Sequence, residues 1–436
     1  MDKASDYLPA LKWMRSYSGD DLKADMVAGL VVTMMLIPQS LAYALLAGVP
    51  AEVGLYASIL PLIAYSLFGS SRTLSVGPVA VVSLMTMVSL SNIVAQGSAD
   101  YLSAAIALAF LSGLFLLIMG LFKLGFVANF LSHTVVSGFI TASGIIIALS
   151  QVRHLLGISG AGDTLPTIAL SLLNSSDSIH TYTAVLGVAV LAFLVWARTA
   201  VVPICKRMGV TDSNAQLMAK LAPVLAVITT LLLAWMVDLE RAGVAVVGSI
   251  PSGLPRLAWP QLSFALFQQL WLPALSIAII GYVESVSVGK TLAAKRRENI
   301  DPNQELIALG SANIASAFSA GFPVTGGISR TVVNFDAGAK TQAASIFAAV
   351  GIAVAAMFLT PALYFLPKVT LAATIIVAVL TVVDFSILGK TRRFSANDFR
   401  AVAITLVGTL LFGVEVGVLC GVMLSILLYL YRTSVP

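Results

Sequence analysis

Apolar residues run along this chain in stretches of roughly 17 to 25, each long enough as a helix to cross about 30 Å of hydrocarbon. A helix satisfies all its backbone groups within one segment there, so the pattern predicts an all-α polytopic membrane protein. The stretches lie near 26–47, 53–69, 77–95, 100–121, 126–150, 180–198, 219–238, 267–289, 302–320, 326–337, 340–365, 368–388, 396–412 and 414–431. That is about fourteen transmembrane segments. The third, tenth and twelfth are short or interrupted. Residues 1–25 are polar, charged and amphipathic, the pattern of an interfacial helix on the cytoplasmic side before the first span.

Charge supports the same picture. The 436 residues are 58% hydrophobic and 10% charged, with a mean hydropathy of +0.97, whereas soluble domains carry roughly 25% charged residues. With the N-terminus in the cytoplasm, the extracytoplasmic segments hold Arg153, Arg241, Arg256 and Lys368. Nearly all other Lys and Arg fall on the cytoplasmic side. A missed or invented span would scramble this bias downstream, so the reading puts both termini in the cytoplasm. The net charge of +5 reflects this topology. The partner it implies is the lipid bilayer and not nucleic acid. Cys205 and Cys420 give no disulfide framework, and the histidines lack metal-ligand spacing. With no Walker A sequence, G-x-S-x-G elbow or metal-ligand cluster in the sequence, neither an enzyme nor a cofactor or metal is expected.

Two unusual features recur at nearly one offset. Span 1 carries Ile37-Pro38-Gln39-Ser40 and span 8 carries Tyr282-Val283-Glu284-Ser285, both read as polar interruptions. Span 3 opens with Ser75-Val76-Gly77-Pro78, and span 10 with Pro323-Val324-Thr325-Gly326-Gly327. Seven spans per half, an odd number, force the halves into opposite orientations: a 7+7 inverted repeat, whose interrupted helices point to a midplane site. Proline suits a first helical turn, so one helix is expected to start at Pro78 inside the membrane. Extended chain and glycines that permit close approach precede a second start near Gly327. Inverted symmetry sets the two starts head to head. Each N-terminus offers unpaired N–H groups and roughly +0.5 of a charge, so an anion fits between them without a metal.

Arg330 is the one cation that this topology leaves in the bilayer, and an intramembrane ionisable group usually marks a pathway. Glu284 is the leading candidate for a coupling carboxylate. A structural ion pair between these two is the competing reading. Gln39 and Tyr43 sit one turn apart on span 1 and can face one side, toward a ligand or toward an interhelical hydrogen bond.

These residues, with Ile37 to Ala44, Gly54-Leu55-Tyr56, Gly69-Ser70-Ser71-Arg72 and His154-Leu155-Leu156-Gly157, resemble the sulfate permease (SulP) signature along the whole chain. The family includes multifunctional anion exchangers and prestin-like motor proteins. The resemblance implies a uracil permease-like fold with a mobile core, spans 1–4 (26–121) and 8–11 (267–365), and a gate, spans 5–7 (122–240) and 12–14 (366–431). Residues 241–266 become an extracytoplasmic linker. Residues 432–436 read as the start of a linker to a STAS domain, which this sequence does not contain. The implied substrate site is Gln39, Tyr43, Pro78, Val79, Gly326, Gly327, Ile328, Ser329 and Arg330, with Glu284 for ion coupling. The expected function is secondary active transport of a small inorganic anion, with proton-coupled sulfate symport by alternating access favoured. The alternatives are a bicarbonate or dicarboxylate symporter, with sodium in place of the proton, and an uncoupled exchanger or channel. A homodimer is a further partner that this reading leaves open.

Overall fold

The computed structural model describes residues 8–91, 93–127, 133–160, 162, 164–394, 396–413, 416, 417, 420, 423, 424 and 427. Most of the expected last span, the segment 432–436 and residues 1–7 of the expected N-terminal helix lie outside these.

The N-terminal stretch gives a short helix α1 (Ala10–Arg15) and then α2 (Gly19–Leu46). Ser18 starts α2 with a capping box: its hydroxyl accepts from Asp21 N at 3.2 Å while the Asp21 carboxylate accepts from Ser18 N at 3.1 Å. The chain continues through α3 (Ala51–Tyr56), α4 (Leu60–Phe68), strand β1 (Val76–Gly77), α5 (Ala80–Ser91), α6 (Ala99–Leu121), α7 (His133–Leu156), α8 (Leu165–Asn174), α9 (Thr181–Arg207), α10 (Asp212–Lys220) and α11 (Ala222–Val237). The second part holds α12 (Phe264–Arg296), α13 (Pro302–Phe318), strand β2 (Thr325–Gly326), α14 (Ile328–Asp336), α15 (Ala343–Phe358), α16 (Thr360–Leu363), α17 (Lys368–Leu380), α18 (Ser386–Phe394) and α19 (Ala396–Phe412).

Among the described residues, six helical stretches are long and apolar enough to cross a membrane alone: Gly19–Leu46, Ala51–Phe68, Ala99–Leu121, Val135–Leu156, Thr181–Arg207 and Phe264–Arg296. Several hydropathy boundaries move. Spans 1 and 8 are not interrupted. Pro38 sits inside the 28-residue α2, and Glu284 inside the 33-residue α12. A membrane helix carries an internal proline because neighbouring groups re-satisfy the one backbone bond it removes. The twelfth span ends at Leu380, and the residues after it form the separate basic helix α18. Helix α8, capped by Thr164 and opened by Pro166, occupies a region read as a loop.

Small residues bring the helices close. A Cβ on Gly113 of α6 would lie 2.8 Å from Ile314 N, and one on Gly310 of α13 would lie 2.9 Å from Leu117 N. Glycine therefore permits backbone-to-backbone packing of α6 on α13. Gly29 of α2 meets α15 in the same way, 2.8 Å from Ala344 O. The main apolar cluster joins α2, α5, α6, α12 and α13 through Leu36, Met85, Leu108, Ile280 and Leu309. A second cluster, with Leu155, Leu194, Val369 and Ala373, joins α7, α9 and α17.

Two buried carboxylates pin the loops on either side of the short helices. Glu305, on α13 and 1% exposed, accepts from Tyr65 Oη (2.7 Å), Ser70 N (2.9 Å), Ser70 Oγ (2.7 Å) and Ser71 N (3.1 Å). Asp25, on α2 and fully buried, accepts from Lys340 N (2.6 Å), Thr341 N (3.1 Å) and Thr341 Oγ1 (2.6 Å). Each carboxylate is solvated by protein donors in place of water, which is the condition for burying a charge.

Candidate functional site

The two strands form an antiparallel pair in which Val76 faces Gly326 and Gly77 faces Thr325. Gly327 N extends the pairing to Ser75 O at 3.1 Å. Each strand runs straight into a short helix, β1 into α5 and β2 into α14. The pairing therefore fixes two helix N-termini side by side. The chain is extended through Pro78, and α5 starts at Ala80, two residues later than proline placement predicts. Gly327 is the N-cap of α14, with extended backbone and no side chain to occupy the free N–H groups. Cross-links hold the pair: Ser75 N donates to Thr331 Oγ1 at 3.2 Å, and Asn334 Nδ2 donates to Thr73 O at 2.9 Å.

A cavity of about 60 Å³ lies at these starts, lined by Val79 with Ala80 and Val81 at the start of α5 and by Gly327, Ile328, Ser329 and Arg330 at the start of α14. Gln39 and Tyr43 of α2 and Glu284 of α12 complete that side. Of the residues singled out in the sequence, Pro78 and Gly326 stand behind the wall. Pro78 offers its carbonyl to Arg330 Nη1 at 2.5 Å, and Gly326 N donates to Ser285 Oγ at 2.8 Å. The opposite wall escaped the sequence reading. It comes from Ile140, Gly144 and Ile147 of α7 and from Ala378, Val379, Thr381 and Val382 near the end of α17. Their small and β-branched character carries no chemical signal; the spacing of Ile140, Gly144 and Ile147 on one helical face is the trace that existed.

Arg330 is 2% exposed and reaches across the strand pair, donating to Pro78 O and, at 3.5 Å, to Thr325 O. Its Nε is buried with no hydrogen-bond partner. Glu284 is 7% exposed, and its Oε2 is likewise buried without a partner. Among the described residues no ion pair joins the two. The competing reading, a structural Glu284–Arg330 pair, therefore does not describe this state. Both groups border the same cavity, each with unused hydrogen-bonding capacity in a site where an unmet charge is costly.

A larger cavity of about 350 Å³ adjoins the first. Gln39, Tyr43, Ser329, Ala378 and Thr381 line both. Its far walls carry Arg198 of α9 and Lys220 of α10. Lys220 is ion-paired with Asp336, the last residue of α14.

Apolar helices of membrane-spanning length packed around two short helices that start from one strand pair define a helical membrane protein with the architecture of a carrier. Residues 22–405 match the sulfate permease family, and the chain is a member of it. That family consists of membrane transporters, not enzymes. The chain is 35% identical over 438 residues to the chloroplastic sulfate transporter 4.1 of Arabidopsis thaliana, covering 100% of this chain and 62% of the relative. It thus spans less than two thirds of that relative's length. Its fold superposes with a TM-score of 0.87 on the murine solute carrier 26 family member A9 anion transporter in the inward-facing state, at 26% identity, covering 99% of this chain and 73% of the other. It also superposes with a TM-score of 0.76 on the transmembrane domain of the cyanobacterial bicarbonate transporter BicA, at 20% identity, covering 94% of this chain and 98% of that one.

Proposed function

We propose that this chain is a secondary active transporter of a small inorganic anion, with sulfate as the favoured substrate and the proton as the coupling ion. The observation that carries the proposal is the cavity itself. It gathers two helix N-termini, the Arg330 guanidinium and an unpaired Glu284 carboxyl. The helix ends contribute about +0.5 each and Arg330 contributes +1, so roughly +2 surrounds the anion. A dianion balances that charge. An ionised Glu284 beside it would leave the site at about −1, where imbalance is expensive. Binding of the dianion therefore favours the protonated carboxyl, and by linkage the proton tightens sulfate binding.

Sodium is the less favoured partner. Its ligands near Glu284 would be the Ser285 and Thr325 hydroxyls. These already bond to each other at 2.7 Å, to Gly281 O at 2.7 Å and to Gly326 N at 2.8 Å.

The architecture that goes with this function is the fourteen-span, 7+7 inverted repeat with both termini cytoplasmic. The core comprises 26–121 and 267–365, and the gate 122–240 and 366–431. The cavity sits between α5 and α14 of the core and α7 and α17 of the gate. The large cavity with Arg198 and Lys220 is then the cytoplasmic vestibule, which makes this an inward-open form; likeness to the inward-facing murine transporter supports that reading.

Uptake of radiolabelled anions by proteoliposomes, with imposed proton or sodium gradients, tests the proposal. Sulfate accumulation driven by an inward proton gradient is expected. Selective uptake of bicarbonate or a dicarboxylate, or accumulation that follows sodium alone, would overturn it.

A further inference from the structure

A second polar cavity of about 280 Å³ lies on the same helix seam as the central site. The seam is formed by α5 and α7. On α7 the central cavity takes Ile140, Gly144 and Ile147, and the second takes Ser150 and Arg153 farther along the helix. On α5 the order is the same, Ala80 and Val81 and then Met87 and Ser91. The start of α9 docks at this end, with His180 N donating to Leu156 O at 3.0 Å. Arg198 and the large vestibule lie several turns away along α9. The two wide cavities thus flank the central site from opposite ends.

The chemistry of the second cavity is that of an oxyanion site. Its polar lining is Arg153 with Ser91, Gln96, Ser150 and Ser171, and among the described residues no carboxylate lines it. Arg153 is half-fixed: Nη1 donates to Gly160 O, while Nε is buried with no hydrogen-bond partner. A guanidinium held by one edge with donors to spare suits a tetrahedral or planar oxyanion. The stretch between the cavities is closed, yet it holds two orphan hydroxyls. Ser83 Oγ on α5 and Ser143 Oγ on α7 are fully buried and have no partner. By helical spacing Ser83 shares a face with Ala80 and Met87, and Ser143 shares a face with Ile140 and Ile147. Native interiors rarely leave such groups unpaired without a use for them.

We propose that the Arg153 cavity is an outer anion subsite. It docks the transported oxyanion on the side opposite the vestibule, and the α5–α7 seam is the closed passage from it to the central site. This rests on the transport reading above and adds a site to it. When the seam parts, the Ser83 and Ser143 hydroxyls become donors along the route.

Two measurements test the subsite separately from transport. In full-length chain with Cys205 and Cys420 replaced by serine, Leu172→Cys places a thiol on the cavity wall. An anionic thiosulfonate should label it about five- to tenfold faster than a cationic one of equal size, as one nearby charge dictates. That preference should vanish with Arg153→Gln and persist with Arg153→Lys. Sulfate should slow the labelling. In proteoliposomes Arg153→Gln should raise the KM for anion offered from the outer side about tenfold, and Arg153→Lys should restore most of that loss. Equal labelling by both reagents, or an outer KM unmoved by Arg153→Gln, overturns the subsite. If no anion is transported at all, the labelling arm still decides the subsite while the transport reading fails.

Discussion

Ser285 and Thr325 meet at 2.7 Å between their hydroxyl oxygens, and the Ser285 hydroxyl also accepts from Gly326 N at 2.8 Å. Helix α12, which carries Glu284, is thereby stitched to the strand that launches α14. Glu284 thus lies one residue from the hydroxyl that holds this strand in place. The proposed coupling between proton and anion would act through this shared contact.

Glu284→Gln is the direct test. Glutamine keeps the size and removes the titratable proton. Gradient-driven sulfate accumulation should be lost, while sulfate binding and sulfate–sulfate exchange survive. If the Gln variant still concentrates sulfate with the parent's dependence on the proton gradient, another group does the coupling.

Arg330→Ala should weaken anion binding by more than tenfold, since a charge-assisted contact to a dianion is worth about 1.5–3 kcal/mol. The variant also loses the link from α14 to Pro78 O and Thr325 O. Arg330→Lys separates the two roles, because it keeps the charge and loses the fork. Affinity partly restored in the Lys variant indicates that charge matters at the site. Parent-like affinity in the monodisperse Ala variant would remove Arg330 from it.

Much of this arrangement was legible in the sequence. The Gly-Pro pair at 77–78 and the glycines at 326–327 announce backbone features, and both mark the mouths of short helices. Arg330 was legible because a charge in a hydrophobic run has few structural excuses. The supposed interruptions at Pro38 and Glu284 were misleading: a proline or a carboxyl within an apolar run does not by itself break a membrane helix. The α7 and α17 wall stayed hidden because apolar residues facing a cavity look the same as apolar residues facing lipid. The partners of Asp25 and Glu305 were equally hidden, since each bridges hundreds of residues of sequence.

Gly327→Val should abolish transport in protein that still reaches the membrane. A Cβ at this position would lie 2.9 Å from Arg330 Nη2 and 3.0 Å from its Cζ, so the guanidinium must move. The valine would also cover the N–H groups that the cap leaves open. Gly327→Ala should give an intermediate loss. Full uptake by the valine variant would place the anion elsewhere.

Glu305→Ala should be a stability mutant. It strands the Tyr65 hydroxyl and the Ser70 and Ser71 backbone donors in a buried setting. Each stranded group costs about 1–3 kcal/mol. A clear fall in melting temperature in detergent is expected, with Glu305→Gln milder because its carbonyl still accepts. A melting temperature equal to the parent's in both variants would mean that the loop before β1 does not depend on this clamp.

The ion pair between Lys220 and Asp336 tests the motion itself. Asp336 ends α14 of the proposed core; Lys220 ends α10, which follows the long α9 of the proposed gate. The side chains are 26% and 37% exposed, so the pair is solvated and worth little as a fixed stabiliser. It is suited to breaking in each cycle. If the core slides against the gate by several ångströms, these two residues must part when the cavity opens to the other side. Lys220→Cys with Asp336→Cys, in a background free of Cys205 and Cys420, should be bridged by a short bifunctional thiosulfonate. The bridge should block uptake, and reduction should restore it. Each single-cysteine variant treated alike should keep its activity. Bridged protein that transports at the parent rate would mean that the anion crosses without relative movement of these helices, as through a channel.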